Sequence, residues 1–347
     1  MLLLNAVVAA KVQSKPNISV KGYPYQIRFS NLLILIIATS FFSCNQVKHL
    51  TITNPIVEGD YADPSIIKQD GKYFIYATID PWGADSLAVM YSSDFKNWET
   101  ARLNWPNKTA CTSPTSSGNA VWAPSVIKAA NGRFYMYVSV GSEVWVGVSE
   151  HPLGPWKNAK EDNSPLLAAT LFPKFNMIDA EAFIDDNGEV YLYWGSGFNW
   201  TNGHCFVVNL SKDMVSFKSD PVDVTPPNFF EGAYMMKNKN KYYLMYSDGL
   251  CYNETYKVRY SMGDSPLGPW TEGKNSPILT TSADSVTVGP GHHTVYKDKG
   301  QPYILYHRIR ESNDKGLFRQ LAIDSLNFDS QGFIEKIKYK GVSGLGK

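Results

Sequence analysis

Cysteine is scarce in this 347-residue chain: only Cys44, Cys111, Cys205 and Cys251 occur, and no two of them are close enough in sequence to form a zinc or redox pair. Neither a disulfide framework nor a cysteine metal cluster is expected. Charge of one sign is also missing, since 33 basic residues face 32 acidic ones for a formal net charge of +1. Without a surface field of one sign, nucleic acid and anionic membranes are poor partners, and a neutral ligand fits better. Long helical patterning is absent too, because no extended segment repeats its apolar residues at a 3.6-residue period.

One short apolar run exists, from Asn31 to Cys44, following Lys21 and Arg28 and closing on Ser43-Cys44. Its length falls short of a comfortable membrane span, and its flanks read as an export signal. Ser43-Cys44 resembles a bacterial lipoprotein cleavage site, with Cys44 as the lipid-bearing residue. The expectation is a signal over residues 1–44, a linker over 45–53 and a single catalytic domain over 54–347. The chain would then be an exported periplasmic or cell-surface lipoprotein, touching membrane only through its anchor. The stretch before Lys21 is long for the charged part of a signal, so the start at Met1 falls early.

What the chain does have is aromatic side chains, 21 Tyr, 17 Phe and 9 Trp, whose flat amphipathic rings suit sugar faces as well as β-rich cores. They recur with a period. A turn followed by an aromatic-rich strand begins at Gly71, Gly132, Gly188, Asn240 and Gly300. A closing aromatic after a polar turn recurs at Trp98, Trp156, Phe217, Trp270 and Phe328. Two independent markers thus define five units of about 57 residues each, built from short strands between Gly, Pro, Asn and Asp turns. Five such units predict an all-β, five-bladed β-propeller with four-stranded antiparallel blades, a fold that limits exposed strand edges by radial closure.

Ahead of each turn marker stands a short strand with chemically informative first residues: Asp63 in Tyr-Ala-Asp-Pro-Ser, Trp122 in Trp-Ala-Pro-Ser, Asp179, Glu231 and His292 in Gly-Pro-Gly-His. Asp63, Asp179, Glu231 and His292 lie eight or nine residues before their markers. Equivalent positions in a radial repeat converge on the axis, so three acids and a histidine are expected at one mouth. Two carboxyl groups flanking a glycosidic bond can act as acid and base when their pKa values are driven apart, and a third can hold the acid protonated. Singly, each acid could be no more than a turn or strand-initiating residue. Three at matching repeat positions argue for a site.

Together these motifs resemble glycoside hydrolase family 43 over essentially the whole chain after the signal. The resemblance implies Asp63 as general base, Asp179 as the carboxylate that tunes and orients the acid, and Glu231 as general acid in an inverting hydrolysis, with the two working carboxyls about 6.5–9.5 Å apart. It implies a pocket arginine at Arg319, a familial role for Trp122, and an axial histidine at His292. No cofactor is required for the chemistry; a structural Ca²⁺ on the axis, water-mediated beside His292, is a further expectation. Trp122 could stack on sugar or pack in the core. Arg319 could pair with an acid of the site, bind a sugar hydroxyl or lie on the surface. His293, next along the strand, is expected to face away from His292. Loop aromatics Trp82, Phe172, Phe198 and Trp200 are candidates for pocket walls.

The expected activity is that of a monomeric exo-glycosidase acting on neutral pentose-containing plant polysaccharide or oligosaccharides, as α-L-arabinofuranosidase or β-xylosidase. Endo-arabinanase and galactofuranosidase are the alternatives within this chemistry. A non-catalytic carbohydrate-binding propeller and a protein-binding scaffold are the alternatives outside it.

Overall fold

The computed structural model of the chain describes residue 50 and residues 52–197, 201, 203–313 and 315–340. The expected export segment with Cys44, most of the linker, and the loop aromatics Phe198 and Trp200 lie outside the described residues. Among the described residues nineteen strands form five separate antiparallel sheets in chain order. Blade one holds β1 (Tyr61–Gln69), β2 (Lys72–Ile79), β3 (Ser86–Ser92) and β4 (Glu99–Asn107). Blade two holds β5 (Val121–Lys128), β6 (Phe134–Val140), β7 (Glu143–Ser149) and β8 (Lys157–Asn158). Blade three holds β9 (Glu181–Ile184), β10 (Val190–Trp194), β11 (Phe206–Leu210) and β12 (Val222–Asp223). Blade four holds β13 (Glu231–Asn238), β14 (Lys241–Asp248), β15 (Lys257–Gly263) and β16 (Thr271–Glu272), and blade five β17 (Gly291–Asp298), β18 (Gln301–Asn313) and β19 (Gly316–Ser325).

The first strands β1, β5, β9, β13 and β17 touch in that order and β17 returns to β1, so the sheets stand in a ring around an axis lined by their first strands. The architecture is a five-bladed β-propeller. Blade five has three strands of its own, and its outer edge is met by chain from before blade one. The Ile56 N–H donates to the Leu321 carbonyl at 2.9 Å, and the buried Asn54 amide spans Ile323, donating to its carbonyl at 3.0 Å and accepting its N–H at 2.8 Å. A side-chain amide here takes the part of a backbone peptide and joins the two ends of the ring.

Apolar burial is divided among the seams between blades rather than gathered in one centre, with separate clusters where blades one and two, two and three, three and four, four and five, and five and one meet. The aromatic second strands explain these seams. Tyr76, Tyr137 and Tyr193, all buried, reach across to donate to the carbonyls of Pro152, Met214 and Pro266 in the following blade, and Tyr243 does the same to Gly332. Each ring fills a seam while its hydroxyl satisfies a turn carbonyl, which gives the repeated Pro-Leu-Gly-Pro-Trp turns their packing role. Phe217 departs from the other closing aromatics and stands 37 % exposed. Cys111, Cys205 and Cys251 are buried free thiols.

Candidate active site

The heads of the five inner strands share one backbone device. Asp63, Ala123, Asp179, Gly232 and His292 each adopt a left-handed conformation, with φ of 52, 46, 56, 61 and 39°. Register slips between Ala62 and Ser65, Trp122 and Ser125, Glu231 and Tyr234, and Gly291 and Thr294 mark a bulge at the same point of four blades. Bulges re-aim side chains, and non-glycine residues tolerate positive φ only where the surroundings over-determine it. Here the surroundings are a relay between blades. The Thr78 hydroxyl accepts the Ala123 N–H at 2.8 Å, Ser139 accepts Asp179 N–H at 3.0 Å, Ser247 accepts His292 N–H at 2.8 Å, and His307 Nδ1 lies 3.3 Å from Asp63 N. A side chain on each of these second strands holds the strand head of the next blade, and blade five closes onto blade one.

The repeat register therefore corrects one detail of the sequence reading. Asp63, Asp179 and His292 are equivalent, but the matching station of blade four is Gly232, and Glu231 precedes it by one residue. Trp122 likewise precedes its blade's station, Ala123. Even so, all the expected residues line one cavity of about 550 Å³: Asp63, Trp122, Asp179, Glu231, His292 and Arg319, joined by Thr78, Trp82, Asn119, Asn176, Ser196 and Cys251. That volume falls within the range of small-molecule sites. His293 does not line it; it is buried with its ring 5.6 Å from that of Tyr234. Phe172 packs on Phe206 within the seam of blades two and three instead.

The three acids differ sharply in surroundings. Asp63 Oδ1 faces Arg319 Nη1 at 3.2 Å, His307 Nδ1 at 3.1 Å and His292 Nδ1 at 3.3 Å, while Oδ2 accepts the Thr78 hydroxyl at 2.7 Å. Burial would push its carboxyl up, but Arg319, His292 and His307 together hold it well below the usual range. Arg319 is itself fixed by Asp80, donating from Nη2 at 2.7 Å and from Nε at 2.9 Å. Both partners are buried, which makes this a preorganised fork of the kind arginine forms best. Glu231 is buried among neutral donors, accepting Tyr256 OH at 2.8 Å and Ser196 OH at 3.3 Å. Burial, with the Asp63 charge adding to it and the Tyr256 hydrogen bond opposing it, pushes its carboxyl up to about 7. No side chain among the described residues donates to either Asp179 oxygen; the Gly232 N–H acts on it from the backbone, and its nearest basic group is His292 Nδ1 at 3.4 Å. Burial and the charges of Glu231 and Asp63 drive it well above the usual carboxylate value.

At neutral pH the cavity thus holds an ionised carboxylate opposite protonatable ones, the separation that acid–base pairs need. Burial lowers both His292 and, to about 4, His307, so both imidazoles are neutral there. Among the described residues no group of three or more His, Cys, Asp or Glu side chains is gathered to hold a metal.

The sequence profile described as Glycosyl hydrolases family 43 matches residues 52–334. The chain belongs to this family. Among curated proteins it is similar to a β-D-galactofuranosidase of Aspergillus niger, 32% identical over 84% of this chain and 87% of the relative, and to a xylosidase/arabinosidase of Bacteroides ovatus, 26% identical over 82% and 97%. Among solved structures it is similar to a thermostable family-43 glycoside hydrolase, with a TM-score of 0.69 and 29% identity over 85% of this chain and 98% of that one. The protein is therefore a glycoside hydrolase of an inverting family whose chemistry needs no cofactor.

Several residues of this family 43 site escaped the sequence reading: Thr78, Asp80, Ser196, Tyr256 and His307. A signal for three of them existed. Thr78, Ser139, Ser247 and His307 each fall seven residues after their turn markers, and Ser196 eight, so a repeat alignment extended to the second strands exposes Thr78, Ser196 and His307. Asp80 and Tyr256 lie outside the repeat and have no such signature.

Proposed function

We propose that this hydrolase is an exo-acting α-L-arabinofuranosidase that works by inversion, with Asp63 as general base, Glu231 as general acid and Asp179 as the group that keeps Glu231 protonated and oriented. The observation that carries the roles is the opposite electrostatic treatment of the two carboxyls: Asp63 is lowered by a buried arginine, and Glu231 is raised to about 7 by burial. Asp63 removes a proton from water on one face of the sugar while Glu231 gives its proton to the departing oxygen, so the anomeric bond breaks as the new C–O bond forms opposite. Oδ1 of Asp63 faces the Arg319 donor and two imidazole nitrogens, which leaves the acceptor capacity for water on Oδ2 beside Thr78. Trp122 supports the sugar face from the cavity wall, where it is half-buried.

An arabinosyl substrate accords with the name of the Bacteroides ovatus relative, xylosidase/arabinosidase, which covers xylosides as well. A second reading, β-D-galactofuranosyl hydrolysis, is favoured by the Aspergillus niger relative. The two sugars share their ring configuration and differ by one exocyclic carbon with its hydroxyl. A panel of nitrophenyl α-L-arabinofuranoside, β-D-xylopyranoside and β-D-galactofuranoside, with debranched arabinan and xylan as polymers, tests the proposal. It expects the arabinofuranoside to turn over fastest, with product first released in the inverted anomeric form. Faster cleavage of polymer than of aryl glycoside would move the assignment to an endo-arabinanase.

The proposal extends to location. An apolar run ending in Ser43-Cys44 supports export and lipid attachment at Cys44, and labelling with a fatty-acid analogue that vanishes in Cys44→Ala checks it. The working unit is proposed as a monomer, to be checked by light scattering.

A further inference from the structure

Glu231 is gripped by a residue that belongs to no repeat position. Tyr256 stands just before β15, fully buried, and gives its hydroxyl proton to Glu231 Oε1 at 2.8 Å. Its ring lies parallel to that of His307, at a centroid distance of 5.6 Å and an interplanar angle of 3°. His307 in turn meets Asp63 Oδ1 at 3.1 Å. Gly291, which pairs with His307 across β17 and β18, makes room for the Tyr256 ring: a Cβ built there would fall 2.0 Å from Tyr256 Cε1. The second glycine of the Gly-Pro-Gly-His motif is therefore accounted for by the ring it makes room for.

We propose that Tyr256 is a positioning residue for the acid, and that its stack on His307 joins the supports of acid and base into one rigid plate that fixes their spacing. The inference rests on the assignment of Glu231 as acid. Because the Tyr256 hydroxyl donates to the carboxylate, it favours the ionised form of Glu231 and opposes the effect of burial. The other ionisable groups acting on Glu231 are Asp63 of β1, Asp179 ahead of β9, Arg319 of β19 and the Cys251 thiol in the loop before Tyr256. None of these depends on the Tyr256 hydroxyl, so its removal should act on one limb of the pH profile.

The test is the pH dependence of kcat/KM and kcat for Tyr256→Phe, Tyr256→Leu and Glu231→Gln, with far-UV circular dichroism and melting temperature as checks of folding. In Tyr256→Phe the alkaline limb should move up by about one pH unit, the scale of a hydrogen bond to a carboxylate. KM should hold within twofold, and the acid limb should stay in place. Tyr256→Leu removes the ring as well and should lower kcat at least tenfold below Tyr256→Phe, whereas equal kcat in the two variants would refute the plate. If Tyr256→Phe fails to fold, 3-fluorotyrosine at 256 supplies a stronger donor and should move the limb down. An alkaline limb that vanishes in Glu231→Gln but does not move with Tyr256→Phe or the fluorotyrosine overturns the role of Tyr256 alone. A limb that persists in Glu231→Gln overturns the acid assignment and the inference with it.

Discussion

Asp63→Asn is the sharpest perturbation of the proposed base, because the amide matches the carboxylate in shape while losing the ability to take a proton from water. Folding should survive it. Arg319 remains doubly bonded to Asp80, the amide oxygen can take the place of Oδ1 facing Arg319 while the amide nitrogen donates to the Thr78 hydroxyl, and no buried cation is stranded. Loss of a positioned general base costs roughly 10²–10⁴ in rate, or about 3–5 kcal/mol at 1.36 kcal/mol for each factor of ten. The assay is kcat/KM on a nitrophenyl arabinofuranoside, followed by addition of azide. Azide needs no deprotonation, so it should restore turnover in Asp63→Asn and form a glycosyl azide of inverted configuration, while Glu231 still protonates the leaving oxygen. The substitution also removes a stabilising term. Asp63 is lowered in the folded protein, so its contribution is present above the unfolded carboxylate value of about 3.9 and disappears as pH falls toward the folded one. Melting temperatures of wild type and variant should therefore converge in acid. Near-wild-type turnover, or an azide product of retained configuration, would refute the assignment.

Glu231→Gln should lose the alkaline limb near pH 7 and yet gain stability. A carboxyl raised from 4.5 to about 7 binds more protons folded than unfolded, so stability falls as pH rises through that window. Relief of this cost, about 3 kcal/mol at most by the 1.36 kcal/mol equivalence, should raise Tm at pH 7.5 by several degrees in calorimetry, with no gain at pH 4. Trp122→Ala should raise KM up to about tenfold, the scale of an aromatic contact, with a smaller change in kcat. An unchanged KM with a large fall in Tm would assign Trp122 to the core instead. Asn54→Ala leaves the Ile323 N–H and carbonyl without their partner at the ring closure and should cost about 1–3 kcal/mol in urea unfolding, with kcat/KM unaltered below the transition.

The five blades were legible because each seam imposes the same demand on sequence: an aromatic second strand whose tyrosine hydroxyl needs an acceptor in the next blade's turn. Periodic physics leaves periodic residues, so Tyr76 with Pro152 and Tyr193 with Pro266 wrote both markers at once. Asp63, Asp179 and His292 were legible for the same reason, standing at one left-handed station. Features that break the period were not. Asn54 at the ring closure is used once, Asp80 serves only Arg319, and Tyr256 comes from a loop of its own length; nothing in another blade points to them. The direction of Arg319 was likewise open from sequence, because a guanidinium can face solvent, sugar or acid, and only the buried Asp80 decides among them.

The displaced position of Glu231 gives the irregularity a chemical sense. Asp63 and Asp179 sit on stations whose backbone N–H groups are held by His307 and Ser139 of the preceding blades, so each is locked into the relay around the mouth. The proposed acid must start each cycle protonated and the proposed base ionised, and a place beside Arg319 such as Asp63 holds would keep the acid ionised instead. In blade four the left-handed station falls to Gly232, which needs no strained side chain, and a Cβ there would already touch the His292 ring at 3.4 Å. The acid moves one residue back, and its longer side chain reaches two hydroxyls, Tyr256 and Ser196, that can rotate to suit either protonation state. The proposed base is held by charge and the proposed acid by neutral, adjustable donors, so the same ring keeps one carboxyl ionised at rest and the other protonated.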